Sequence, residues 1–483
     1  MSNNSNEFDT IIDRASKLVT PSGREEGKLE RVSSLVLSLL QAEFDGERRN
    51  SDVVIPEVSL GGSYAKGTWL KESVDVDYFL LYPTTYQREK LESEAIRVSK
   101  QAVRDYPTNM RFAEHPYVEA VVQGVRVNLV PCYKVKQGEW QSAADRSPFH
   151  TDYVKSRFND RLRLETRLLK KFIKCSKTYG AEVKIQGFSG YVCEVLTLKF
   201  GSFLNVLGMI SKSKLGQVIS LEEDSYNKDL VASFKSALVI LDPVDQTRNL
   251  GGAISIENVA RLTLHSRKFL ERPSLSFFKE PHTPGQNSNA VARENQDTLL
   301  SRTTIVTFRI EKRSVDILWG QLRKSSTALA SKLEQIGFEV IRFSSASNEN
   351  DECAFLFLLR ENRIANVQLK LGPEYFRSDE VKRYLEKNKR KSMINWFDAN
   401  GRIISLTRRK DEESDARTVL KEFLSDQAQV EKIGLSKAIQ SEIKNGFTMS
   451  TGTKLISGAK ESPKRPWLVD AIKTLISSEV DLV

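Results

Sequence analysis

The chain has 483 residues, 40% of them hydrophobic, and a formal net charge of +10. That length argues for roughly three or four compact units, and a basic excess of this size favours a polyanionic partner, nucleic acid first, over a merely solvated basic surface. No apolar run reaches membrane-spanning length, the N-terminus MSNNSNEFDT lacks a signal-peptide core, and Cys132, Cys175, Cys193 and Cys353 form no CxxC pair. The expectation is a cytoplasmic protein with reduced, mostly buried thiols and no membrane association.

In chain order, Thr20-Pro21-Ser22 offers a cap and a break, and apolar spacing predicts a helix over 29–44. Residues 52–60 alternate as a strand. The turn GGSYAKG leads to the acidic strand SVDVDYFLLYP. A helix over 87–105 follows, then strands over 117–124 and 125–135. This order describes a mixed α/β unit ending near residue 148. From 153 to 216 the pattern is mainly helical. On that stretch Leu164, Leu168 and Phe172 share one face, while Arg163, Arg167, Lys170 and Lys174 share another. Taken alone, that basic stripe reads as a solvated face. Residues 234–255 give a short buried strand and a polar loop carrying Arg248, and a helix over 255–270 closes the region.

The segment KEPHTPGQNSNAVARENQDTLLSRT (279–303) is rich in Pro, Asn and Gln and reads as a linker. Beyond it come a strand over 304–310, a helix over 320–338, and strands over 354–372 with a hairpin turn near Glu361-Asn362. A charged helix over 374–391 ends in KNKRK. Asn400-Gly401 is a hairpin turn. The expected domains are 1–150, 151–278, the linker 279–303, and an α+β region 304–483 with a tail near 374–440.

The chemistry concentrates in GGSYAKGTWLKESVDVDYFLLYP. A Gly-Gly-Ser turn opening a helix can present N–H groups and a hydroxyl to phosphate. Asp75 and Asp77 lie one residue apart on a strand, so both point to one face. Paired hard oxygens suit Mg²⁺, although a lone D-x-D is more often a solvent-facing strand side.

The combined turn, D-x-D and apolar strand resemble the polymerase-β-like nucleotidyltransferases. Around them TPSGREEGKLERV, EHPYVEAVVQGVRVNLVPCYKV, SAADRSPFHTDYVKSRF, GAEVKIQGFSGYVCEVL, DPVDQTRNLGGAIS and WFDANGRIISLTRRK resemble archaeal-type (class I) CCA-adding enzymes along nearly the whole chain. The resemblance implies an α+β multidomain protein: a nucleotidyltransferase head of mixed sheet and helices, a helical neck, and an α+β body and tail. It implies template-independent addition or repair of the tRNA 3′ CCA end from CTP and ATP, with Mg²⁺, and contacts to the acceptor stem and T-arm. Gly62, Ser63 and Lys66 would hold the triphosphate, and Asp75 and Asp77 the metal. His115, Lys170 and Tyr179 would contact phosphates and sugar. Arg248, with donors only, would read the base edge. The third metal-binding carboxylate of the superfamily falls at Asn128, which implies slowed transfer unless another acid, Glu114 or Glu119, compensates. His150 is read as positional, His265 and His282 carry no motif, and the scattered histidines exclude a zinc site. Two other readings stay open: a different template-independent enzyme such as a poly(A) polymerase, and an inactive homologue that binds tRNA. The sequence leaves the oligomeric state open, a homodimer included.

Overall fold

The computed structural model describes residues 2–47, 54–222, 226–279, 290–409, 414–461 and 465–478. The chain divides into two compact units, 1–283 and 284–483.

The first unit begins with α1 (Ser2–Val19) and α2 (Gly23–Glu47). The break between them is set by Ser22, whose hydroxyl and amide both meet the Glu25 carboxylate while the Glu25 amide donates back, a capping box. Next come β1 (Glu57–Gly61), α3 (Gly62–Lys66), β2 (Asp75–Pro83), α4 (Arg88–Ala102), β3 (Thr108–Phe112), β4 (Pro116–Val122) and β5 (Val125–Lys134). The five strands form one sheet in the order β1-β2-β5-β4-β3. Only β2 and β5 run parallel. Gln123 and Gly124, both at positive φ, make the tight turn between β4 and β5, as a two-residue hairpin requires.

Alternate side chains of these strands point to opposite faces of the sheet. Val76, Tyr78, Leu80, Val118, Ala120, Val127 and Leu129 bury against Leu29, Val32, Val36, Leu91, Ala95 and Val98 of α2 and α4. The polar residues between them are thereby forced onto the opposite face.

That opposite face meets the second half of the unit. It consists of α5 (Arg146–Arg157), α6 (Asp160–Cys175), α7 (Gly190–Phe200), α8 (Phe203–Ile210), β6 (Gln217–Ile219), α9 (Lys228–Ser233), β7 (Leu238–Ile240) and α10 (Ile256–Glu271). Its core is built from Leu168, Phe172, Phe188, Val192, Leu196, Phe203, Leu262 and Phe269, closed by Ala15 and Val19 of α1. Helices α7 and α8 are apolar because they are interior. Among the described residues, no single helix is long and apolar enough to cross a membrane.

Residues 280–289 of the linker-like segment, with His282, lie outside the described residues. Its remainder forms a helix, α11 (Ala290–Ser301). Strands β8 (Thr303–Arg309), β9 (Val340–Ser347), β10 (Glu352–Leu359) and a strand over Phe447–Thr451 form a four-stranded sheet with β10 between β8 and β9. Helix α12 (Val315–Ile336) packs on it. A separate three-stranded sheet holds β11 (Val367–Glu374), β12 (Ser392–Phe397) and β13 (Arg402–Arg408), with β13 central. The hairpin expected at Glu361-Asn362 does not form: β10 and β11 join different sheets. The hairpin at Asn400-Gly401 does form, with Gly401 at φ +70°. The small sheet leaves Leu369, Leu371, Ile394, Trp396 and Phe397 exposed. All four cysteines are buried thiols.

Candidate active site

The polar face of the first sheet carries the acidic motif. Register aligns Asp75 with Arg126 and Asp77 with Asn128, and Asn128 in turn with Glu119 on β4. Residues directly opposite share a face, so Asp77, Asn128 and Glu119 form one row across three strands. The Asn128 amide nitrogen donates to Asp77 Oδ1 (2.8 Å), and Arg126 Nε donates to Asp75 Oδ1 (2.7 Å). Burial pushes the Asp77 carboxyl above its ordinary range, with Asn128 and Lys66 opposing. Asp75 is raised by burial as well, with Asp77 and Glu119 adding and Arg126 opposing. Two acids side by side, each raised by burial, would gain from a cation as partner.

The donor set bears this out in part. Asn128 is 9% exposed, and its Oδ1 is buried without a hydrogen-bond partner. An orphaned acceptor beside two carboxylates fits a hard cation with oxygen ligands. Among the described residues, no three His, Cys, Asp or Glu side chains cluster closely enough to hold a metal ion. The site therefore offers two carboxylates and one amide oxygen. Glu119 is the nearest further acid, and Arg111 Nη2 donates to it (2.8 Å). Glu114 is exposed and pairs with Arg88.

The turn before β2 wraps directly over this row. Gly62 has φ +68°, and a Cβ there would collide with the Asp77 carboxylate. Glycine is required twice over, by conformation and by space. Gly67, in the left-handed conformation, ends α3.

Lys66, at the end of α3, is buried, and Nζ donates to Glu194 Oε2 (2.6 Å). Lys170 on α6 is 2% exposed. Its Nζ donates to Glu194 Oε1 (2.8 Å) and to Thr68 Oγ1 (2.9 Å). The basic stripe on α6 is therefore only partly solvated: Lys170 is buried, while Arg163, Arg167 and Lys174 are half-buried. Arg163 Nε donates to the Lys66 carbonyl (3.3 Å), and the neighbouring Lys171 binds Glu72 (2.6 Å) in the turn after α3. Glu194, on α7, did not stand out in the sequence. The available signal was one acid inside the apolar run VCEVL, which a buried helix tolerates only with partners. Burial pushes its carboxyl up, but Lys170 and Lys66 outweigh that and hold it at about 2.

Tyr179 sits in a loop, residues 176–189, that folds back on itself. The Gly187 amide donates to the Gly180 carbonyl (2.6 Å) and the Phe188 amide to Thr178 (2.7 Å). A Cβ on Gly187 would strike the Thr178 carbonyl. Burial raises the Tyr179 hydroxyl pKa. An added Cβ at Gly190 would lie 2.9 Å from Tyr179 Oη and 3.4 Å from Lys170 Nζ, so these two groups border the same small space.

The structure does not bring His115 to this cluster. It lies four residues before Glu119, about 13 Å at strand rise. There it is locked by donating Nδ1–H to Glu92 of α4 (2.8 Å) and sits edge-on to Tyr133. The histidine that the fold delivers is His150 on α5. Its ring stacks on Tyr191, centroids 4.0 Å apart, and Nε2 donates to buried Asp242 Oδ2 (2.8 Å). Burial lowers the His150 pKa, with Asp242 opposing. Arg248 belongs to the same group. Its Nη1 lies 3.6 Å from Asp242 Oδ2, and its side chain is 43% exposed. It is thus anchored at one edge and free at the other.

Three family models match consecutive stretches of the chain. A nucleotidyltransferase domain matches residues 47–161, a tRNA nucleotidyltransferase second domain 164–279, and a CCA-adding enzyme C-terminal domain 301–452. Among curated proteins, the chain is 32% identical to the CCA-adding enzyme of Archaeoglobus fulgidus over 92% of this chain and 95% of that one. It is 34% identical to that of Sulfurisphaera tokodaii over 83% and 89%, and 32% identical to that of Saccharolobus solfataricus over 85% and 91%. Among solved structures it is similar to the Cid1 poly(U) polymerase, with a TM-score of 0.45 and 14% identity over 57% of this chain and 99% of that one. A CdnC protein of E. coli MS115-1 scores 0.41 with 16% identity over 56% and 94%. Neither structural likeness bears on function.

Proposed function

The chain belongs to the CCA-adding enzymes, tRNA nucleotidyltransferases, and on that premise we propose that it adds CCA from CTP and ATP at the Asp75–Asp77 site, slowed by Asn128. The observation that carries this reading is the row Asp77–Asn128–Glu119. It sits under the Gly62 turn, with the Asn128 oxygen buried and unused.

In nucleotidyl transfer the RNA 3′-oxygen bonds to the α-phosphorus and the bond to pyrophosphate breaks. The chain's own groups serve that step as follows. The Gly62-Ser63 turn offers amides that α3 cannot use internally, with the Ser63 hydroxyl beside them. Lys66 and Lys170 supply positive charge, and Tyr179 a hydroxyl. Arg248 presents the free side of its fork to the base. Asp75, Asp77 and the Asn128 oxygen would hold Mg²⁺, which when bound neutralises phosphate charge and makes the attacking hydroxyl more acidic. Asn128 adds neither negative charge nor a proton acceptor at neutral pH. Nucleotide and tRNA binding are therefore retained while transfer is slow. In the second unit, exposed Tyr375, Phe376, Trp396 and Phe397, with the exposed Lys389, Arg390 and Lys391, provide stacking and cationic groups of the kind that RNA ends recruit.

The test is gel-resolved extension of tRNA lacking CCA, with CTP and ATP supplied separately and together. Asn128→Asp is expected to raise turnover by ~10²-fold, about 3 kcal/mol of barrier, with little change in nucleotide affinity. Equal rates for the two chains would remove Asn128 from the mechanism and leave Glu119 as the compensating acid. Extension by adenylate alone, without CTP dependence, would favour a poly(A) polymerase. Binding without extension in either chain would favour an inactive homologue, a reading to which the internally satisfied Asp75–Arg126 and Asp77–Asn128 pairs give some support.

A further inference from the structure

The Lys66–Glu194–Lys170 cluster has an unusual stoichiometry for a buried ion pair: two amines share one carboxylate. Glu194 is fully buried and accepts from Lys66 Nζ at Oε2 (2.6 Å) and from Lys170 Nζ at Oε1 (2.8 Å). Thr68 Oγ1 also donates to Oε1, and Lys170 Nζ reaches the Thr68 carbonyl too (3.3 Å). The members come from α3 and its following turn on one side, and from α6 and α7 on the other. They are not equivalent. The side chains of Lys170 and Glu194 are 2% and 0% exposed, whereas Lys66 keeps 8%. Lys66 Nζ also lies 5.5 Å from the Tyr191 ring centroid and is electrostatically coupled to Asp77. Lys66 thus keeps the larger remaining exposure, while Lys170 takes the other carboxylate oxygen and borders the space beside Tyr179.

A clamp serving only to join two halves of a unit would need one lysine and one carboxylate. A second buried amine beside the first raises the cost of keeping both charged. Burial disfavours the charged form of Lys66, Lys170 repels it, and Glu194 with a smaller contribution from Asp77 only partly opposes this. An anion arriving beside Lys66 would relieve that imbalance. The triphosphate of a nucleotide bound over Asp75 and Asp77 has the right charge and place.

We propose that Glu194 is a positioning residue that fixes Lys66 at the mouth of the site for a nucleoside triphosphate, while Lys170 occupies the other carboxylate oxygen and keeps Glu194 from neutralising Lys66. The proposal rests on the nucleotidyl-transfer reading above.

The experiment is calorimetric binding of CTP and CMP to the full chain and to Glu194→Gln, with CTP-dependent steady-state kinetics alongside. In Glu194→Gln the preference for CTP over CMP is expected to fall at least about tenfold, the effect of one misplaced charge-assisted hydrogen bond. CMP and tRNA affinities stay close to those of the parent chain, and KM for CTP rises by more than kcat falls. Glu194→Asp, which keeps the charge but shortens the reach, recovers part of the preference. An unchanged CTP/CMP ratio in folded Glu194→Gln overturns the proposal. If Glu194→Gln does not fold, Lys66→Met decides. It leaves a balanced Lys170–Glu194 pair, so Tm is expected to hold or rise while the CTP preference falls. A lower Tm, or an intact preference, overturns the surplus-cation account. A parent chain that binds CTP no better than CMP would instead bring down the nucleotidyl-transfer reading itself, and this proposal with it.

Discussion

Aspartate and asparagine differ by one heavy atom, and at position 128 that atom sets the charge of the whole row. The same face shows what such chemistry costs the fold. Asp77 has its carboxyl raised by burial, so the unfolded chain gives up that proton first. Ionisation thus opposes folding: the penalty is absent below the unfolded value, grows as pH rises through the raised folded value, and is complete above it. Asp77→Asn, measured with a chelator present, should raise Tm at pH 7 and give no gain near pH 3, while abolishing extension. A Tm gain at both pH values would point to packing rather than charge. Arg248 makes a different claim. Arg248→Ala should cost CTP and ATP about 1.5–3 kcal/mol of their advantage over UTP and GTP, with smaller loss of triphosphate affinity, as misincorporation assays would read. Much at this scale was legible. Two aspartates one residue apart on a strand must share a face, and alternation alone turns Asn128 toward them. His115 and Glu194 were not legible for opposite reasons. The surroundings of a histidine in EHPYV do not show until α4 is seen to hold its Nδ1 through Glu92, with Nε2 buried and unpartnered. A glutamate in an apolar helix looks incidental until two lysines more than twenty residues away arrive at it.

At the scale of elements, glycine carries the constraint. Gly62, Gly187 and Gly190 each stand where a side chain would strike a neighbour, and together they bring the α3 turn, the 176–189 loop and α7 to one point. Gly190→Ala should be tolerated by α7, since alanine is the better helix former. It would crowd Tyr179 Oη and Lys170 Nζ, cost roughly 1–3 kcal/mol of overpacking, and raise KM for both nucleotides. Unchanged kinetics with unchanged Tm would show the space there to be idle. Long periodic helices such as α2 and α12 were readable because their spacing is unambiguous. Helix α1 was obscured by its polar start, although Phe8, Ile11, Ile12, Ala15 and Val19 recur at helical spacing and pack on the helical core. Strand β3, TNMRF, is a mostly exposed edge with no apolar pattern to betray it. The misplaced hairpin at Glu361-Asn362 has an instructive cause. Seven of the eight residues of β10 are buried, the signature of a central strand covered on both faces. Strand β11 has one buried residue in eight. Two strands with such different surroundings belong to different sheets, a distinction that turn signals alone do not carry.

At the scale of the whole molecule, the net charge of +10 makes a prediction about tRNA. Binding should weaken at least about tenfold between 50 and 200 mM salt as counterions compete for the phosphates. A minihelix of acceptor stem and T-arm should bind nearly as well as intact tRNA; filter binding across a salt series checks both. Salt-insensitive binding, or a need for the anticodon arm, would contradict a surface that recognises the end of an RNA helix. Composition favoured a polyanionic partner, but it could not reveal that every residue of the candidate site falls within 1–283. The Lys66–Glu194–Lys170 cluster also has a mechanical consequence. It is a bolt through the seam between the sheet and the helices that face it. Prising the seam open would break both lysine–carboxylate contacts at once, with water returning only after they part. On the proposed reading this seam stays closed through the reaction, and what moves between additions is the growing RNA end rather than this part of the fold.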